Sequence, residues 1–143
     1  MAITFLNVDL EIISGEPLDA IRDAFAICGR SISVMHFDEI QPGEHSASFE
    51  AHLDGEGEDE SHVTAGQKIN AFCDIITAFP ADARAVWDRC RKRVVDIGYQ
   101  SENHCAPLND FLDAGTLARL VDLGVHLAIT IYPEVIVHES RGN

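Results

Sequence analysis

Six side chains carry most of the chemistry legible in this sequence: Asp9, Glu11, Glu50, His52, Asp96 and His126. All but Asp96 fall on the polar side of a stretch in which apolar and polar residues alternate, the period of a half-buried β-strand. Leu6, Val8, Leu10 and Ile12 share one face of the first stretch, and Asn7, Asp9 and Glu11 share the other. Ala47, Phe49, Ala51 and Leu53 oppose Ser46, Ser48, Glu50 and His52, and near the end Val125, Leu127, Ile129 and Ile131 oppose His126, Ala128, Thr130 and Tyr132. Asp96 lies in the short β-rich run Val94 to Tyr99. If these strands are neighbours, carboxylates and imidazoles meet on one surface, which is the donor chemistry of a zinc or manganese site or of an acid and base pair. Alternation alone also predicts a solvated sheet face whose acids and histidines pair across strands. Strand order decides between the two, and periodicity carries no information about strand order.

A second concentration of chemistry has the opposite sign. Arg84, Arg89, Arg91, Lys92 and Arg93 supply half of the 10 Lys and Arg residues, around the single Trp87 and next to the run Val94 to Tyr99. Arg89, Arg91 and Arg93 suit an anion site, because guanidinium binds carboxylate or phosphate in a bidentate fork. The simpler expectation is that a cationic helix end complements the helix dipole and pairs with surrounding acids, with Trp87 as a packing anchor. The acidic run Asp54, Glu56, Glu58, Asp59, Glu60 lacks the ligand spacing of a calcium loop and reads as a mobile, solvated segment. His104 beside Cys105 has the composition of a base and nucleophile, but sequence neighbours rarely present both side chains to one substrate. No phosphate-binding glycine motif occurs, so no cofactor is expected.

The elements that must position these groups follow from the same patterns. A strand over Ile3 to Ile13 leads to a helix with Pro17 near its start and Leu18, Ile21, Phe25 and Cys28 on one stripe, stopped at Gly29. Ser31 to Ile40 reads as a strand with an ambiguous inward face, since Ile32, Val34, Met35 and Phe37 occur at both parities. The Gln41-Pro42-Gly43 turn makes it an antiparallel hairpin with the strand ending near Leu53. Ser61 or Thr64 caps a helix with the stripe Ile69, Phe72, Cys73, Ile76, which ends at Pro80. A short helix from Ala81 to Cys90 precedes the Val94 to Tyr99 strand. Asn109 or Asp113 caps a last helix with Leu117, Leu120 and Val121 turned inward and Gly124 as its stop, before the final strand over Val125 to Tyr132 and a short edge over Val135 to Val137. The order predicts one α+β domain: a two-layer sandwich with a mixed or mostly antiparallel sheet of about five strands and helices on one face.

Composition narrows the function classes. With 24 Asp and Glu against 10 Lys and Arg, the formal charge is -14 over 143 residues, so nucleic acid and anionic membrane surfaces are poor partners and a basic protein or a metal cation suits the field. No apolar run reaches the length of a membrane span and no basic, apolar leader opens the chain, which predicts a cytoplasmic protein. Cys28, Cys73, Cys90 and Cys105 lack paired spacing and read as reduced thiols. The stretch Leu117 to Tyr132, LARLVDLGVHLAITIY, resembles the ending of certain small bacterial α+β proteins grouped only as domains of unknown function. That resemblance implies a fold and carries no active site. Two functions follow as expectations: an acidic binding protein that engages a basic partner through charge, in the manner of immunity proteins, or a metal-binding protein or metal-dependent enzyme working from the polar sheet face. A homodimer through strand edges or the Trp87 to Tyr99 joint is compatible with either.

Overall fold

The computed structural model describes residues 3–28, 31–52, 63–102 and 107–134. Nine elements follow in the order β1 (Thr4–Ser14), α1 (Asp19–Ala26), β2 (Ser31–Gln41), β3 (Glu44–His52), α2 (Ala65–Thr77), α3 (Ala81–Arg89), β4 (Lys92–Gln100), α4 (Ala114–Leu123) and β5 (His126–Tyr132). The strands form one sheet in the order β2-β3-β1-β4-β5, antiparallel except for the β4–β5 pair. The parallel step is where the chain needs a crossover, and α4 provides it. The predicted α+β two-layer architecture is what the chain adopts, with the helices on one face of a mixed five-stranded sheet.

Local chemistry explains most boundaries. Thr64 closes a capping box with Gln67, each side chain taking up a backbone N–H of the other. The Asp113 carboxylate accepts the Thr116 N–H at 2.7 Å, and hydrogen bonding to the charged form holds its pKa below the ordinary value. Gly124 ends α4 in the left-handed region with φ 69°, the conformation that costs a Cβ-bearing residue most.

Two bulges correct the expected strand faces. A register shift between Phe5 and Asn7 loops Leu6 out, leaving it 43% exposed, and puts Phe5 on the helix side against the Tyr99 ring at 6.0 Å. The same device at Val34/His36 takes Met35 out of the ladder, which is why apolar residues appear at both parities in β2: one extra residue reverses the side-chain period.

The core lies between the helices and the inner face of the sheet. Val8, Leu10 and Ile12 of β1 meet Ala47, Phe49, Ala51, Val95 and Ile97 and the helix residues Ile21, Phe25, Ile69, Phe72, Ile76 and Trp87. Rings run through it in series: Phe25 lies 4.7 Å from Phe49 and 5.2 Å from Phe79, and Phe79 lies 6.2 Å from Trp87. Trp87 is fully buried and its Nε1–H donates to the Leu123 carbonyl at 3.1 Å, tying α3 to the end of α4. On α4 the inward side differs from the expected stripe. Thr116, Leu120 and Leu123 are buried, whereas Leu117 and Val121 are 42% and 77% exposed, because the helix lies over α2 and reaches only part of β5. The Asn70 side chain donates to Thr116 Oγ1 at 2.8 Å, and Arg119 reaches Asn70 and Asp74 at 3.0 and 2.7 Å, so much of that helix pairing is polar. No helix among the described residues is long and apolar enough to cross a membrane.

Candidate functional site

The six residues marked by the sequence share the sheet face opposite the described helices, and three of them stand in one row. Asp9 is the cross-strand partner of Glu50 on one side and of Asp96 on the other. Opposed residues have Cα atoms about 4.5–5.5 Å apart and side chains on the same face, so Asp96, Asp9 and Glu50 form a rank of three carboxylates across β4, β1 and β3. Glu11 stands in the next row, beside Ser48 and Val94, and His126 pairs with Val94 at the far side of that row. His52 extends β3 two residues beyond Glu50 on the same face. The polar face therefore exists as one surface, but only the three central acids are immediate neighbours, and His126 stands at the β5 edge.

The rank is held by neutral donors. Thr130 Oγ1 donates to the Asp96 carboxylate, lying 2.9 Å from both oxygens, and Asn7 Nδ2 lies 3.5 Å from Asp9 Oδ1. Gly98 makes room for this arrangement, since a Cβ there would come within 2.8 Å of Asn7 Oδ1. Burial pushes the Asp9 pKa up to about 6, and the charges of Glu50, Asp96 and Glu11 add to the effect, against a smaller opposing pull from Lys68. The ammonium of Lys68 lies 5.9 Å from the Phe5 ring centroid, and the residue is 1% exposed. On the open face itself, Lys92 at the Ile13 end is the only Lys or Arg among the described strand positions. Among the described residues no group of three or more His, Cys, Asp or Glu is arranged to hold a metal ion.

The basic run has other employment. Arg89 makes a bidentate pair with Glu16 at 2.7 and 2.8 Å, which holds the Glu16 carboxyl below its ordinary range. Arg93 donates to the carbonyls of Trp87, Cys90 and Gly124 at 2.8, 3.0 and 3.0 Å and lies 5.7 Å from the Trp87 ring centroid. Arg91 packs against Gly15. The expected anion group of Arg89, Arg91 and Arg93 is thus divided among an exposed ion pair, a carbonyl cluster and a turn. Burial raises the Cys90 thiol to about 11 and raises Cys73 as well, so neither is a nucleophile at neutral pH. The acidic run Asp54 to Glu60, the stop at Gly29, the His104–Cys105 pair and the Val135 to Val137 edge lie outside the described residues.

One feature without a sequence signature lies on the helix side. Tyr99 Oη donates to Asp110 at 2.6 Å, and burial together with that carboxylate keeps the phenol protonated well above its ordinary pKa. The pair borders a cleft of about 250 Å³ formed by Ile97, Phe111, Leu112, Leu117, Leu127 and Ile129. No protein-family model, no curated protein and no solved structure matches the chain.

Proposed function

We propose that this chain is a binding protein whose open sheet face receives a cationic segment of a protein partner. The observation that carries this reading is the Asp96–Asp9–Glu50 rank, in which the central carboxyl is pushed up to about 6 by burial and by like charge. A neighbouring cation would relieve that cost, and the fold supplies little of it there. Arg22, Arg84, Arg89 and Arg119 are paired with acids elsewhere, and Arg93 is spent on carbonyls. A formal charge of -14 adds long-range attraction for a basic surface and accelerates encounter at low salt. The flat, half-buried polar surface suits a protein patch better than a small molecule, which needs a concave site.

The test compares the intact protein with the triple variant Asp9→Asn, Glu50→Gln, Asp96→Asn in capture from lysate at low and high salt. The expected result is a captured basic protein that is released by salt and absent with the variant. Capture of the same protein by the variant would overturn the assignment to this face. Thermal-shift measurements with zinc, manganese and calcium belong beside it. A stabilisation by one cation that the triple variant abolishes would favour metal binding by the same carboxylates instead.

A further inference from the structure

We propose that the free edge of β5 pairs with β5 of a second copy, joining two sheets about a two-fold axis at Ile129. The two edges of the sheet differ in the features that keep strands apart. β2 is interrupted by register shifts at Val34/His36 and Glu39/Gln41, and it carries Asp38 and Glu39, held by His36 and His45 at 3.2 Å. Among the described residues β5 has none of these protections. His126–Tyr132 pairs with β4 without interruption and contains no Asp, Glu, Lys, Arg, Pro or Gly. Its helix-side residues Leu127, Ile129 and Ile131 are 41%, 60% and 62% exposed, Leu117 and Phe111, which share a cleft with Leu127 and Ile129, are 42% and 80% exposed, and Val121, one helical turn on from Leu117, is 77% exposed.

Charge selects a second copy as the occupant. In a chain of net charge -14 most surfaces repel their own duplicates, and this seven-residue edge is a neutral one. Antiparallel pairing centred on Ile129 is self-complementary: Leu127 of one copy falls opposite Ile131 of the other on the helix side, and Ala128 opposite Thr130 on the open side. The two-fold axis stands perpendicular to the sheet, so both helix layers lie on the same side and α4 of each copy brings Val121 and Leu117 toward the seam. The acidic ranks end up three strand spacings and two residues along the strand apart from Asp96 to Asp96, about 16 Å. That exceeds the Debye length of about 8 Å at physiological salt, so their repulsion is screened.

Sedimentation of the intact chain through the micromolar range tests this, together with two lysine variants. Ile129 and Ile40 are 60% and 56% exposed in the single copy, so both variants keep the monomer fold, which circular dichroism verifies. The wild type and Ile40→Lys are expected to sediment as dimers. Ile129→Lys sets two ammonium groups at the axis and is expected to weaken association about 100-fold or more. Oxidation of Ile129→Cys is expected to yield a covalent dimer through residue 129. A wild type that stays monomeric, or a dimer indifferent to Ile129→Lys, overturns the proposal.

Discussion

Replacing Asp9 by Asn should make this protein more stable at neutral pH, which is unusual for a half-buried polar residue at the centre of a sheet. Asp9 titrates at about 6 in the folded chain against 3.8 for the ordinary carboxyl. Folding therefore favours its protonated form. The stability associated with protonation is fully present below 3.8 and is lost as the pH rises through about 6. A shift of about two units has a ceiling of about 3 kcal/mol, and partial exposure with its solvent screening lowers the expectation to about 1–2 kcal/mol. Asn keeps the size of Asp and an oxygen that can accept from Asn7. Asp9→Asn should then raise stability by that amount above pH 7, or Tm by about 3–8 °C for a domain of this size. The gain should shrink steadily between pH 6 and 3.8. Urea unfolding of both proteins across that interval measures it, and the difference between them isolates Asp9 from the other titrating acids. As an internal check, Glu50→Gln should lower the Asp9 midpoint seen in carboxyl NMR titration, since Glu50 is its strongest charged neighbour. An Asp9→Asn protein that is less stable, or equally shifted at every pH, would refute the account of Asp9 as a carboxyl raised by burial and like charge.

Two further outcomes test the assignment of the basic run and of the thiols. Arg93→Lys should cost about 1–3 kcal/mol in urea unfolding, because an ammonium cannot span the three carbonyls that the guanidinium joins, and the freed acceptors lie at a partly buried helix end; Arg89→Ala, which removes only an exposed pair, should cost less than about 1 kcal/mol. Cys90, buried and raised to about 11, should resist iodoacetamide at pH 8 in the native protein and react only on unfolding, as mass spectrometry of the labelled peptide will show.

The sequence disclosed the elements better than their faces. Capping and the stop at Gly124 are side-chain and backbone preferences that act within a few residues; the structure uses Gly124 as expected and selects Thr64 over Ser61 and Asp113 over Asn109 as the caps. Leu6 left its expected face, and the face of β2 stayed ambiguous around Met35, because a bulge is a property of two strands in register, invisible in either strand alone. The same limit governs the acidic rank. Alternation put Asp9 and Glu50 on polar positions and left Asp96 as the one acid of the Val94 to Tyr99 run, and the adjacency of all three depends on β1 lying between β3 and β4, a long-range fact about order. Arg93 was legible only as charge; that its donors close a helix end becomes evident once β4 and the Gly124 turn are side by side. Nor does composition reveal that Leu127, Ile129 and Ile131 stay uncovered, because the stripe of α4 is indistinguishable from one that would have reached them.

The central place of β1 also bears on how the chain acquires this structure. Its partners arrive late: β3 lies some 40 residues downstream, at Glu44–His52, and β4 some 90 residues downstream, at Lys92–Gln100. During synthesis the first strand made must wait with both edges unsatisfied, while the β2–β3 hairpin and α2 can form from local contacts. Closing the large loop to β4 is entropically the most costly of the pairings of β1. Pairings this distant in sequence slow folding, and the docking of Lys92–Gln100 against Thr4–Ser14 is the step expected to limit the rate, which stopped-flow refolding of variants in β4 would test. That docking also sets Asp96 beside Asp9, so the charge cluster is completed only when β4 meets β1.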